Sequence, residues 1–210
     1  MMSGFFRVRN IVLVLPCIAV LLGLNLFESA WAAILLYHAV IVIYLVLTRR
    51  ERSRTRLFQG WHRAIGTALI VVCACCGPLL VILWPVISNL NGGLSSALDS
   101  FGLHGTRWYL FAAYFVSIHP VLEELFWRDA LAGGSRKISI PDTAFASYHV
   151  LVLVHFLKFP WVIIVFVMLT LVSWLWRRIA EHQQGLAIPV FSHVAAGLGI
   201  MTAACIIAGG

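Results

Sequence analysis

The chain reads as an all-α polytopic membrane protein, a bundle of about seven transmembrane spans with a cytoplasmic amino terminus. Three observations predict this. Of its 210 residues, 61% are hydrophobic and only 11% charged, where soluble domains carry about a quarter. The apolar residues form runs that approach or exceed the ~20 needed to cross a bilayer. The basic residues fall in alternate linkers between those runs.

The runs lie at about 11–27, 29–48, 65–88, 107–131, 142–158, 160–176 and 186–208. The first two are joined so tightly around Glu28 that they must form a hairpin. The fifth and sixth are short and meet at Lys158-Phe159-Pro160. With the amino terminus inside, the inner segments hold Arg7, Arg9, Arg49, Arg50, Arg52, Arg54, Arg56, Arg63, Arg136, Lys137, Arg177 and Arg178. The outer segments hold only Arg107 and Lys158. One topology therefore satisfies the positive-inside rule at every loop, with the carboxyl terminus outside. A rival reading takes "MMSGFFRVRN", the next apolar run and Ala30 to Ala33 as a cleavable signal peptide. Against it, the run fills a whole span and another span follows at once. Residues 1–210 form a single integral membrane domain, because no linker is long enough for a separate soluble one.

The net charge of +7 raises the question of nucleic acid. The crowding of arginines in one linker between two spans points instead to a phospholipid surface, so no nucleic-acid partner is expected. Cys17, Cys73, Cys75, Cys76 and Cys205 all lie in apolar runs and read as packing residues. The Cys73/Cys76 pair has no second pair to complete a metal site.

The fourth run carries "VLEELFWRDAL", with Glu123, Glu124 and Arg128 inside it. A charge at the centre of a membrane helix costs ~2.5–3.5 kcal/mol on insertion scales, so these groups must face the bundle interior or a wet cavity. Arg128, four residues after Glu124, shares its face and can pair with it. Glu123 points about 100° away, with His119 one turn before it on its own face. Pro120 removes a helix hydrogen bond and is expected to kink the run. A purely structural ion pair accounts for Glu124 and Arg128 but leaves Glu123 among apolar neighbours without a reason.

Depth supplies one. At 1.5 Å per residue, Glu123 lies roughly 14 Å from the cytoplasmic end of its helix, and His149 and His193 each lie about 10 Å in from the same side. Three helices thus bring two carboxylates and two imidazoles to a similar level. His38 reaches a comparable depth on the second span. His155 is rotated to another face, and His62, His104 and His182 belong to loops or helix ends. A carboxylate pair beside imidazoles suits general-base activation of water. Two acids with different neighbours can hold different protonation states, and a histidine facing a bound carbonyl can stabilise an oxyanion. The reaction class is hydrolysis of an amide within the membrane. There is no HExxH zinc-peptidase pattern and no GxGD or GxSG pattern.

Glu123 to Arg128 fits EExxxR, Phe145 to His149 fits FxxxH, and "GLAIPVFSH", ending at His193, looks like the third motif, an apolar lead into HxxxN. Together, in order and each on its own helix, these resemble the CPBP intramembrane glutamic endopeptidases, which include CAAX prenyl endopeptidases and bacteriocin-processing or immunity proteins. The resemblance implies a helical bundle with a cavity open to lipid and cytosol, and a catalytic core over about 107–208. It implies that Glu123 activates water, that Glu124 and Arg128 support it, that His149 contacts the water or the developing oxyanion, and that His193 helps form the oxyanion hole. His119, Phe145, Tyr148, Ser192 and Gly197 are possible supporting residues. Two positions depart from the pattern. Asp129 stands where the family has glycine, and Gly197 where it has asparagine. One oxyanion contact, worth ~2.7–4 kcal/mol in other hydrolases, is thereby lost unless Ser192, Tyr148 or a water replaces it.

The expected activity is therefore endoproteolysis of a membrane-associated or lipidated substrate by glutamate-activated water. The expected partners are a membrane-anchored peptide or protein and the bilayer. The expected location is a bacterial or archaeal cytoplasmic membrane. No cofactor is required, though a divalent metal is compatible. Two alternatives stay open: a non-catalytic immunity or scaffold protein of the same fold, and a haem- or metal-binding protein using His38, His119, His149, His193 and Glu123.

Overall fold

A computed structural model describes residues 2–48 and 56–209, with the backbone alone for residues 2–10. Arg49, Arg50, Arg52 and Arg54 of the basic linker lie outside the described residues, as do the side chains of Arg7 and Arg9.

The described chain is all-helical, with one isolated bridge between Ser88 and Leu157. Its helices are α1 (Met2–Leu21, continuing as a π turn over Leu22–Leu26), α2 (Ala30–Leu47), α3 (Arg63–Ala74), α4 (Cys76–Ile87), α5 (Gly93–Ser100), α6 (Thr106–Ser117), α7 (His119–Glu123, continuing as a π turn over Glu124–Ala130), α8 (Ile140–Leu153), α9 (Phe159–His182) and α10 (Ala187–Gly209). Four stretches are long and apolar enough to cross a membrane: Ala30–Leu47, Arg63–Ile87, Phe159–His182 and Ala187–Gly209. The large apolar side chains on their outer faces, such as Ile43, Ile82 and Val167, are exposed, as lipid-facing residues must be.

Two expected spans differ in form. The run at 107–131 is not one helix. It breaks at Ile118, just before Pro120, and its last third winds as a π turn closed by the Leu131 N–H on the Phe126 carbonyl at 2.9 Å. Proline's missing donor explains the break. The run at 142–158 is a 14-residue helix, Ile140–Leu153, shorter than a full crossing. By contrast α9 runs on to His182, beyond the expected limit at 176, because Arg177 is not a solvent-facing terminus.

Arg177 is buried and fully engaged. It holds Asp142 through Nη2 at 2.8 Å and Nε at 3.2 Å, and donates to the carbonyls of Ser135 (2.6 Å) and Lys137 (2.9 Å). Asp142 also accepts from the Ser139 and Ser173 hydroxyls and caps α8. This network ties the 131–139 loop and α8 to α9, and so sets where Phe145, Tyr148 and His149 fall.

The α1–α2 hairpin forms as expected around Glu28, whose φ of 47° is left-handed. Gly23 lets the two helices touch, since a Cβ there would collide with the Ala33 backbone. On the opposite flank α10 lies against α3 and α4, and Gly77 meets the backbone of Gly199. The 56–60 segment pairs with the start of α10 through Leu186 N–H to Arg56 O and Ala187 N–H to Gln59 O. Arg56, Arg63, Arg136, Lys137, Arg177 and Arg178 thereby collect at one end of the bundle. Lys158 lies at the other, where its N–H meets Ile87 O and Ala30 meets Phe101.

Replacing Asp142 by alanine leaves Arg177 buried without its carboxylate and should cost about 3–5 kcal/mol. Gly77→Ala places a methyl 2.5 to 2.9 Å from Gly199 backbone atoms and should cost about 1–3 kcal/mol. Both losses are read from unfolding midpoints of the purified protein in detergent.

Candidate functional site

The end of α7 and the π turn that continues it present Glu123 and Glu124 to the interior, where both are fully buried. Their neighbours separate them as the spacing predicts. Arg128 Nε stands 3.3 Å from Glu124 Oε2, and its guanidinium lies over the Phe145 ring, 4.0 Å from the centroid, with Trp176 on the other flank at 5.2 Å. The aromatic walls let a delocalised cation sit in an apolar interior at reduced cost. Glu124 Oε1 lies 3.0 Å from His193 Nδ1.

Glu123 faces the other way and its two oxygens differ. Oε1 accepts short hydrogen bonds from the hydroxyls of Tyr37 on α2 and Tyr148 on α8. The Tyr37 oxygen in turn accepts from Trp127 Nε1 at 2.9 Å. Oε2 has no hydrogen-bond partner, and lies 3.5 Å from His119 Nε2 and 3.5 Å from His193 Nε2. One oxygen is thus immobilised and the other left free, aimed between two imidazoles.

His149 is bound to its own helix through Nδ1 and the Phe145 carbonyl at 2.8 Å. A carbonyl only accepts, so Nδ1 carries the hydrogen and Nε2, 3.1 Å from the Tyr148 hydroxyl, presents its lone pair when the ring is neutral. His38 joins the group from α2: its Nε2 is 3.0 Å from His119 Nδ1, and its Nδ1 is 2.7 Å from the Tyr114 hydroxyl. Thus Glu123, Glu124, Arg128, His149, His193, His119, Phe145 and Tyr148 converge, from α7 and its π turn, α8 and α10. Ser192 does not join them; its hydroxyl is turned to the Ile188 and Pro189 carbonyls of its own helix. Gly197 is buried one turn beyond His193, and a Cβ there would touch the Phe115 ring at 3.7 Å. That ring is stacked on His119 with centroids 4.6 Å apart. Asp129 lies outside the cluster and pairs with Arg56 at 3.4 Å.

A cavity of about 300 Å³ reaches the site, with His119, Tyr148, His149 and Tyr37 in its wall. The rest of its lining is apolar, from residues such as Leu24, Trp84, Phe111 and Met201.

Two contributors were not found from the sequence. Tyr37 and Trp127 are aromatic residues in apolar runs, where such residues are ordinarily packing. The available signal was the adjacency of Tyr37 to His38, two polar-tipped side chains in the middle of a span.

Residues 105–198 match the profile of the type II CAAX prenyl endopeptidase Rce1-like family. The match begins at α6 and holds all three motifs, and it bears out the resemblance drawn from them. No curated protein matches the chain, and no solved structure does.

Removing either phenol leaves a buried carboxylate oxygen short of a donor, worth about 1.5–3 kcal/mol. Tyr37→Phe should destabilise more than Tyr148→Phe, because it also orphans Trp127 Nε1. A thermal denaturation series in one detergent decides the order, and equal midpoints would remove the proposed role of Trp127.

Proposed function

From a chain whose residues 105–198 are Rce1-like, a family of proteases, we propose an intramembrane endopeptidase that hydrolyses a peptide bond in a membrane-associated or lipidated substrate by glutamate-activated water. The observation that carries the reading is the unequal state of the two Glu123 oxygens. A carboxylate held on one side by two phenols and open on the other is a positioned general base.

A water on Glu123 Oε2 gives its proton to that oxygen as its own oxygen attacks the scissile carbonyl carbon. The carbonyl π electrons move to oxygen, forming the tetrahedral oxyanion. When the intermediate collapses, the C–N bond breaks and the leaving nitrogen takes the proton back from Glu123. Every proton transfer is thus made by the chain's own carboxylate. His149, whose Nε2 borders the cavity beside the Tyr148 hydroxyl, is the donor to the oxyanion when protonated. Glu124 and Arg128 orient His193, whose Nε2 bounds the water site.

The nearly all-apolar cavity wall suits apolar side chains or a lipid group, since an extended peptide backbone would bring amides with nothing to bond them. The arginine-bearing end of the bundle is taken as cytoplasmic, with up to seven crossings. The membrane is that of a bacterium or archaeon.

Glu123→Gln keeps the size and both phenol contacts but loses the base. Cleavage of a membrane-anchored reporter should fall by about 10²–10⁴-fold while thermal stability changes little. Undiminished cleavage by that variant would end the glutamate mechanism.

A further inference from the structure

A hydrolase at Glu123 needs a wet route, and the apolar cavity does not supply one. Peptide hydrolysis consumes a water and releases a carboxylate and an amine, both charged near neutral pH. Charged groups do not leave through an apolar passage without a large cost. The cavity runs from Tyr37, His119, Tyr148 and His149 away from the arginines, past Trp84, Leu94, Leu103, Leu157 and Ile207. Among the described residues, none of its wall comes from 56–61 or from the first turns of α10.

The side toward the arginines is closed by one short segment, residues 56–61, which lies against the turn between α9 and α10. Leu186 N–H donates to the Arg56 carbonyl at 2.9 Å and Ala187 N–H to the Gln59 carbonyl at 3.0 Å. The segment thereby caps donors that the start of α10 leaves without helical partners. The backbones touch: a Cβ on Gly185 would collide with the Gln59 carbonyl, and one on Gly60 would stand 2.7 Å from the Gln183 carbonyl. Leu57 packs on buried Ala180, Leu186 and Val190. Val121, Leu125 and Val194 join the same cluster. The first two flank the acid pair in sequence and the third follows His193. An apolar layer thus separates Glu123 and Glu124 from the arginine-bearing end. Trp61 closes the edge, edge-on to Phe191 with centroids 5.9 Å apart. The latch is polar. Arg56 Nη1 stands 3.4 Å from Asp129 Oδ1, and Nε donates to the Gln184 carbonyl at 3.5 Å. The Arg56 side chain is 40% exposed and that of Asp129 15%, so the ion pair is a weak one for which water and salt compete. Asp129 is one of the two positions at which the chain departs from the motif pattern, and a glycine there could form no latch.

We propose that residues 56–61 are an autoinhibitory strap, latched by Arg56 on Asp129, that bars water from the acid pair until it lifts. With Leu57 seated, the side of the site toward the arginines is dry. With the latch broken, Leu57 leaves its seat on Val190 and Leu186, and a route opens by which water reaches Glu123 and the charged products depart. The strap also supplies the caps at the start of α10, so lifting it loosens the helix that carries His193. Because the latch is weak, closed and open forms differ little in free energy, and a small perturbation shifts the population. The strap rests on the proteolytic reading for what passes it, and adds to that reading the regulation of the site.

The test uses the full chain in detergent carrying Val190→Cys, a near-isosteric change at a buried residue beneath Leu57. Labelling of that thiol by a charged reagent is timed, and peptide mass spectrometry reads it apart from the native cysteines. Arg56→Gln and Asp129→Asn should each speed labelling about two- to fivefold, which is what a part-exposed ion pair is worth. Without Val190→Cys, each should raise turnover of a membrane-anchored reporter by a similar factor. The double variant should be no faster than either single, because the latch is already broken. Labelling unchanged in both singles, additive increases in the double, or turnover that stays level or falls while labelling speeds overturns the strap. Should Val190→Cys not fold, reporter turnover over the same three latch variants decides by the same cycle. The two readings fail separately. Latch-dependent labelling in a protein that cleaves no reporter in any variant removes the proteolytic reading and leaves the strap as a barrier to water. Glu123-dependent cleavage that is indifferent to the latch removes only the strap.

Discussion

Two adjacent carboxylates inside an apolar bundle are the constraint to which the other parts of the site answer. Each buried anion carries a desolvation cost of several kcal/mol unless charge and hydrogen bonds offset it. The chain divides the task by helix geometry. Successive residues point about 100° apart, so Glu123 and Glu124 take largely different partners, with His193 between them. Glu124 receives Arg128 and His193, while Glu123 receives two phenols and two imidazoles. Those partners come from α2, α7, α8 and α10, which accounts for why helices distant in sequence are bound to one point.

A second buried charge pair, Arg177 with Asp142, works differently. It is satisfied almost entirely by loop carbonyls and hydroxyls and has no free lone pair. Its contribution is placement: it anchors α8 at the end where the chain returns from the π turn. The contrast between a saturated network and one that leaves Glu123 Oε2, Glu124 Oε2 and the Arg128 guanidinium without hydrogen-bond partners separates the structural charge cluster from the chemical one, although both are hidden from solvent.

Much of the site was legible because membrane helices make ionisable residues conspicuous. Glu123, Glu124, Arg128, His149 and His193 stood out against apolar runs, and their spacing and depth brought them together before any coordinates. The pairing of Glu124 with Arg128, and of His119 with Glu123, followed from the four-residue repeat. Tyr37 and Trp127 were hidden because an aromatic side chain in a span carries no cost and hence no signal. His38 was visible but unplaced, since nothing local says which helices α2 faces. The breaks in the fourth run were only half legible. Pro120 announced the kink, but the π turn depends on how Glu124 to Ala130 pack. Span limits failed at Arg177 because hydropathy counts it as a terminus, whereas its burial with Asp142 carries the helix onward.

The glycine at 197 looks in sequence like the simple loss of an amide. In the structure it is the contact point of an aromatic ring. A Cβ at 197 would meet Phe115 at 3.7 Å, an ordinary contact, and the same ring is stacked on His119. Any side chain at 197 would therefore lie against the ring that backs an imidazole beside the base. The size of residue 197 thus bears on the placement of His119 through Phe115, and the position reads as a packing neighbour of the base as much as a missing donor.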